Sequence, residues 1–206
     1  MCILADVSDP DTRTRAEARA LFNGRDLSGW EQVGRGRFRV EDGLLVSEGG
    51  MGLLWYTEEK VGNAVLRVEY RVARPEDNSG VFVRIAERPA DEWYAVHQGY
   101  EVQILATGDE LHRTGGIYSM TRSPEGLQRP PGEWNVMEIA MRGETIDVML
   151  NGRLATHFGP EVDVPPREFP YEPERGPRPP SGYVGLQNHD GDSVVAFRDV
   201  SVLPLP

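Results

Sequence analysis

Apolar and polar residues alternate with a period of two along much of this chain, and this pattern predicts β-strands. The alternation is uninterrupted in residues 65–72. Asp42–Gly43 and Asn151–Gly152 each separate two alternating runs, and both dipeptides favour the tight turn of a β-hairpin. In the last strand the apolar positions change parity, which predicts a β-bulge near Arg198 and Asp199. The pattern therefore predicts an all-β fold.

Length and composition refine this picture. With 206 residues, 23 Gly and 16 Pro, the chain suits one turn-rich antiparallel β-sandwich. We expect an N-terminal extension at 1–20 and a single domain at 21–206. The proline-rich segment 160–181 predicts a long loop on the sheet rim that could act as a lid. The glycine cluster 49–52 is not followed by a Walker lysine, so it does not predict a phosphate loop.

Charge and cysteine content exclude several classes of protein. A net charge of -11 without a basic stripe argues against nucleic acid as a partner. The single cysteine, Cys2, rules out an internal disulfide, and no segment is apolar enough to span a membrane. The start of the sequence lacks signal-peptide features, which predicts a cytoplasmic protein. The alternative is an extracytoplasmic lipoprotein whose export signal was trimmed before Cys2. The oligomeric state is left open.

Two predicted strands, 80–85 and 99–105, carry polar side chains at central positions. Alternation places Arg84 beside Phe82 on one face of the first strand, and Glu101 beside Gln103 on one face of the second. If that face lies opposite the core, these side chains line one polar groove. The alternative is the ordinary solvent-facing side of an antiparallel strand.

Other polar and aromatic residues surround this region in the sequence. Asn78 opens the first of the two strands, and the loop 87–98 between them contains Trp93. The predicted strand at 182–189 places Gln187 and His189 on one face. A second polar face is therefore predicted on another strand.

Several blocks of the sequence resemble the 3-keto-disaccharide hydrolase domain, in that family's order and over about residues 21–202. The blocks are residues 21–24, 29–30, 78–84, 99–104, 114–115, 131–135 and 185–189. The resemblance implies a concanavalin-like jelly roll with a sugar site on a concave sheet. It also implies action on glycosides that carry a ketone at C3, and a divalent metal cation as cofactor.

The implied chemistry assigns roles to individual residues. A ketone at C3 acidifies the proton on C2, so a base can remove it and the substituent on C1 can leave. The resemblance implies Glu101 and His189 as catalytic base or metal ligands. Arg84 is then the catalytic anchor for the developing negative charge, and Gln103 and Gln187 orient sugar hydroxyls.

Asn78, Tyr118 and Trp93 complete the expected substrate-binding set. A carbohydrate-binding module is the alternative function, with Trp93, Tyr94 and Tyr118 as stacking platforms and no catalytic base. An interaction domain that binds a peptide or another subunit is the third hypothesis. An exposed apolar patch would mark it.

The sequence departs from the family pattern at two positions. Many relatives carry an Asp after the Gln-Ile-Leu run, where this chain has Ala106, and Asn188 stands where Asp is frequent. If either Asp contributes to a metal site, metal binding is weakened here. His112 could compensate, and a surface loop position is the alternative for it.

Overall fold

The computed structural model describes residues 18–206, which form thirteen β-strands and one α-helix. Cys2 and residues 1–17 of the predicted extension lie outside this range. The strands are β1 Arg19–Ala20, β2 Trp30–Gly34, β3 Arg37–Glu41, β4 Leu44–Glu48, β5 Gly52–Tyr56, β6 Ala64–Val72, β7 Ser79–Ile85, β8 Tyr100–Ile104, β9 Asn135–Arg142, β10 Thr145–Leu150, β11 Arg153–Phe158, β12 Tyr183–Asn188 and β13 Val195–Pro204, and the helix is α1 Glu92–Gln98.

The strands form two antiparallel sheets that pack face to face, which confirms the predicted antiparallel β-sandwich. An eight-stranded sheet has the order β11-β10-β9-β6-β13-β4-β3, with β1 paired to β13, and a five-stranded sheet has the order β2-β5-β12-β7-β8. One apolar core lies between the sheets, where side chains such as Leu66, Tyr70, Val81 and Val102 have no exposed surface. Because side chains alternate between the two faces of a strand, one face of each sheet forms this core and the opposite face can carry other side chains.

The turn chemistry expected from the sequence is present. Asp42 and Asn151 have φ values of 49° and 52°, and the glycines that follow them are also left-handed. Both dipeptides therefore form the predicted hairpin turns, β3–β4 and β10–β11. The register of β13 against β6 shifts between Phe197 and Asp199, which confirms the predicted bulge.

The segment expected to be an irregular loop before β8 instead contains the helix α1. Asp91 caps it by accepting hydrogen bonds from the backbone N–H groups of Trp93 and Tyr94. Its buried residues Ala95 and Val96 pack on the outer face of the five-stranded sheet, the face turned away from the core between the sheets. The helix covers one part of that face. No helix among residues 18–206 is long and apolar enough to cross a membrane.

The glycine cluster before β5 serves a close approach of two chain segments. A Cβ atom on Gly52 would lie 2.2 Å from the carbonyl oxygen of Gly36, and one on Gly36 would lie 1.8 Å from the carbonyl oxygen of Gly50. No side chain fits at such distances from a backbone atom. Gly36 and Gly52 therefore allow the two chain segments to approach each other closely where β5 begins.

We expect Gly52→Ala to lower the free energy of unfolding by about 2–3 kcal/mol, because the added methyl group must push two backbone segments apart. Urea denaturation checks this. Gly62→Ala is the matched control, since its Cβ would meet no atom nearer than 4.0 Å. Equal stability of the two variants would show that the chain segments at Gly36 and Gly52 are not in such close contact.

Candidate functional site

Glu101 and Gln103 lie on the outer face of the five-stranded sheet, as alternation along β8 predicts. Their neighbours Val102 and Ile104 face the core between the sheets. Glu101 pairs across the strands with Phe82, which belongs to the outer apolar cluster under α1. Both polar side chains are nonetheless buried, with exposed fractions of 5% for Glu101 and 3% for Gln103. The simple solvent-facing alternative is therefore not what the structure shows.

The carboxyl group of Glu101 lies across a glycine of the neighbouring strand. A Cβ atom on Gly80 would be 2.4 Å from Oε1 of Glu101, so any side chain there would displace the carboxyl. Beyond β8 the backbone N–H of Tyr118 donates to the carbonyl oxygen of Glu101 at 2.9 Å. This bond joins the segment of Tyr118 to the edge strand β8 and places Tyr118 beside Glu101.

Burial changes the acidity of these two groups. It raises the pKa of the Glu101 carboxyl to about 8, although a hydrogen bond from Gln187 acts in the opposite direction. Burial also raises the pKa of Tyr118 well above its usual value, and the nearby Glu101 and Glu172 carboxyls raise it further. At neutral pH the Glu101 carboxyl is therefore mostly protonated and can donate a hydrogen bond.

These residues line a pocket of about 290 Å³, which we call the Glu101 pocket. It has the volume for one sugar ring and lies at the small end of the usual range for ligand sites. Its lining comprises Asn78, Glu101, Gln103, Leu105, His112, Tyr118, Phe169, Tyr171, Glu172 and His189.

Two histidines in the lining are each held by an aspartate. Nδ1 of His112 lies 2.9 Å from the Asp109 carboxylate, and Nδ1 of His189 lies 2.9 Å from Oδ2 of Asp190. A carboxylate at Nδ1 favours the tautomer with its proton on that nitrogen, which leaves Nε2 as a proton acceptor. The hydrogen bond to His112 lowers the pKa of Asp109. Burial raises the pKa of Asp190, but its hydrogen bonds, first that of His189, lower it to about 2.

The proline-rich loop forms the roof of the pocket and is tied down by Arg175. Its guanidinium donates to the carbonyl oxygens of Pro165 and Pro173 and to both oxygens of Ser119. Ser119 has a φ of 61°, an uncommon conformation for a residue other than glycine. The arginine also forms an ion pair with Glu172 at 3.4 Å. The predicted rim loop thus contributes residues to the site through fixed contacts.

Two amide oxygens at the site are buried without a hydrogen-bond partner among the described residues. They are Oδ1 of Asn78 and Oε1 of Gln187. A buried acceptor without a donor costs free energy, of the order of 1–3 kcal/mol. Asn78 lines the Glu101 pocket, so a hydroxyl group of a ligand bound there is a donor that would satisfy its Oδ1.

The structure brings most of the predicted site residues together. Asn78, Glu101, Gln103, Tyr118 and His189 line the pocket, and Gln187 lies next to it through its contact with Glu101.

The predicted position of Arg84 is wrong, because its side chain does not lie on the sheet face that carries Glu101 and Gln103. Its φ of 57° and the register shift between β7 and β12 form a bulge, so Ile85 joins Phe82 in the outer cluster instead. The Arg84 guanidinium donates to the carbonyl oxygen of Gly143 at 3.1 Å. Trp93 is also outside the pocket lining and stacks on His97, 6.3 Å away between ring centres.

Sequence reasoning missed three residues of the roof. Phe169, Tyr171 and Glu172 come from a segment without hydrophobic periodicity, and only its expected position on the sheet rim pointed to a role. Glu172 adds a second carboxyl group, where the strand pattern predicted one. His112 lines the pocket, which is the position it needs if it compensates for an Asp missing from a metal site.

The side chains do not fit the divalent metal implied by the resemblance. Among residues 18–206, no three His, Cys, Asp or Glu side chains are grouped so that they could hold a metal ion. Metal ligation also requires a deprotonated carboxylate, whereas burial favours the neutral form of Glu101. The metal remains a prediction.

The two-sheet architecture is that of a jelly-roll domain. A Bacillus subtilis protein of galectin-like fold shares 12% identity with a TM-score of 0.66, over 90% of this chain and 93% of its own. A candidate glycosyl hydrolase of Parabacteroides distasonis shares 24% identity with a TM-score of 0.75, over 91% and 99%. The carbohydrate-binding module CBM66 of Bacillus subtilis shares 13% identity with a TM-score of 0.55, over 84% and 93%. These likenesses confirm the predicted jelly roll.

The family is established by the sequence itself. Residues 17–203 match the model of the 3-keto-alpha-glucoside-1,2-lyase-like domain. The chain belongs to this family, which confirms the resemblance found in its motifs. No curated protein matches the sequence significantly.

The raised pKa of Glu101 predicts a pH-dependent cost to stability. The folded state favours the protonated carboxyl, so its contribution is complete below pH 4.5 and is lost as the pH rises through about 8. Between pH 5 and 8.5 the wild type should lose on the order of 4 kcal/mol relative to Glu101→Gln, at ~1.4 kcal/mol per tenfold change in proton affinity. Urea denaturation across this pH range measures the difference.

Glu125→Gln, on an exposed loop, is the control and should follow the wild type at every pH. Parallel pH profiles for the wild type and Glu101→Gln would contradict a buried, mostly protonated Glu101.

Proposed function

We propose that the Glu101 pocket cleaves glycosides that carry a ketone at C3, by removing the proton on C2. The observation that carries this proposal is the buried carboxyl of Glu101 in a sugar-sized pocket that two aspartate-held histidines also line. Burial raises the pKa of this carboxyl to about 8. Membership of the 3-keto-alpha-glucoside-1,2-lyase-like family supports the substrate class.

The reaction begins with proton transfer from C2 of the sugar to Nε2 of His112 or His189. Because the C3 ketone is conjugated with the forming carbanion, negative charge develops on the ketone oxygen. The neutral carboxyl of Glu101 and the hydroxyl of Tyr118 are the donors that stabilise this oxygen. A carboxylic acid kept neutral by its surroundings is an effective donor of this kind.

The C1–oxygen bond then breaks, a C1=C2 double bond forms, and the departing oxygen takes up a proton from the histidinium formed in the first step or from water. The products are an unsaturated 3-keto sugar and the free aglycone. Addition of water to the double bond would make the overall result hydrolysis. Gln103 and Gln187 orient the sugar hydroxyls in this scheme, and the Oδ1 atom of Asn78 accepts from another.

The central experiment uses the whole chain with methyl 3-keto-α-glucoside in deuterated water, with and without a chelator. Deuterium exchange at C2 and release of methanol are followed by NMR. We expect both in the wild type, and loss of both in whichever of His112→Asn and His189→Asn removes the base. A folded wild type that gives neither exchange nor release with several 3-keto glycosides contradicts the proposal. Loss of activity with chelator would show that a metal participates.

The pH profile tests the role of Glu101. If its protonated form acts as a donor, kcat/KM should fall as the pH rises through about 8, because the carboxyl then loses its proton. In Glu101→Gln the amide keeps a donor at every pH, so we expect ~10- to 100-fold lower activity and no such fall. Glu101→Ala, without a donor, should be less active still. A wild-type rate that instead increases through pH 8 would identify the carboxylate as the base.

A carbohydrate-binding module is the second candidate function, favoured by the structural likeness to CBM66. It predicts binding of an unoxidised oligosaccharide in the same pocket without C2 exchange in any 3-keto glycoside. Calorimetric titration with oligosaccharides, beside the exchange experiment, separates the two functions.

A further inference from the structure

The roof of the Glu101 pocket carries two aromatic rings that stack on each other and face solvent. The rings of Phe169 and Tyr171 are parallel within 3°, with centroids 5.2 Å apart. Their exposed fractions are 47% and 50%, although both line the pocket. Exposed aromatic surface next to a polar pocket is typical of a surface that binds a flat ring.

Local hydrogen bonds hold this aromatic pair in place. Nε of Arg167 donates to the carbonyl oxygen of Phe169 at 3.1 Å, and the backbone N–H of Glu172 donates to the same oxygen at 3.1 Å. The carboxylate of Glu172 accepts from the N–H of Glu168 at 2.9 Å. Because the turn is already ordered, little conformational entropy is lost when a ligand stacks on it.

The position of the pair relates it to the leaving group. A pocket of about 290 Å³ accommodates one sugar ring. Glu101 and Gln103 form its floor on β8, while Phe169 and Tyr171 belong to the roof loop and are open to solvent. If C1 of a sugar held at this floor faces the opening, the substituent on C1 meets the two rings.

We propose that Phe169 and Tyr171 form the leaving-group subsite and that the substrates are 3-keto glycosides of flat aromatic alcohols. This inference rests on the proposed function. Part of the hydrogen-bonding capacity of Arg167 and Glu172 beside the pair is used within the loop, whereas about half of each aromatic side chain is exposed to a ligand. An aryl oxygen, with the pKa of ~10 typical of a phenol, also leaves more readily than an alkoxide.

The test compares 4-nitrophenyl and methyl 3-keto-α-glucosides as substrates of the wild type and of the Phe169→Ala/Tyr171→Ala double variant. We expect the ratio of kcat/KM for the aryl over the methyl substrate to fall about 5- to 10-fold in the double variant, mainly through KM. Tyr171→Phe keeps the ring and should keep most of the ratio. Leu154→Ala, which removes an exposed apolar side chain of β11, is the control and should leave the ratio unchanged.

An unchanged ratio in the double variant overturns the subsite, even where both substrates are cleaved and the proposed function holds. A 3-keto disaccharide preferred over the aryl substrate overturns the aromatic class. Calorimetric titration with unoxidised 4-nitrophenyl and methyl α-glucosides tests the subsite without turnover. If the wild type binds the aryl glucoside more tightly than the methyl glucoside, and the double variant does not, the subsite is supported even if no 3-keto glycoside is cleaved. Equal binding of the two glucosides by the wild type counts against the subsite.

Discussion

The burial of one carboxyl group against a glycine is the constraint on which the candidate site depends. Glu101 occupies the outer face of β8, where the missing side chain of Gly80 makes room for it. The same position removes it from water and raises its pKa to about 8. The sandwich compensates for this cost elsewhere, because the apolar side chains of β7 and β8 are buried between the sheets. One face of β8 thus contributes to the apolar core, and the opposite face contributes to the candidate site.

The roof of the pocket depends on a second set of contacts, made by arginines of the proline-rich loop. Arg175 joins this loop to Ser119, next to Tyr118, and Arg178 donates to the carbonyl oxygens of Gly99 and His97. The N-terminal end of β8 and the neighbouring segment that contains Ser119 are therefore linked to the loop. A segment without regular structure can position pocket residues in this way because its backbone carbonyls are used as acceptors for side chains.

The sequence predicts the parts of the site that follow from strand periodicity. Glu101 was placed correctly because Val102 and Ile104 beside it demand the core face. Arg84 was misplaced because its left-handed backbone reverses the alternation, and no glycine marks that position. Phe169 and Tyr171 lie in a loop whose path is set by long-range hydrogen bonds, which local sequence patterns do not encode.

The displacement of Arg84 also changes how the site can manage negative charge. None of the residues that line the Glu101 pocket is a lysine or an arginine, so a developing enolate would be stabilised by neutral donors. Glu101 suits this role because burial favours its protonated form at neutral pH, and the hydroxyl of Tyr118, like any tyrosine hydroxyl, is protonated there as well. A fixed cation would stabilise an anionic substrate as well as a transition state, whereas neutral donors gain most of their strength only when the charge forms. These neutral donors agree with the proposed function, in which an uncharged ketone becomes an anion during the reaction.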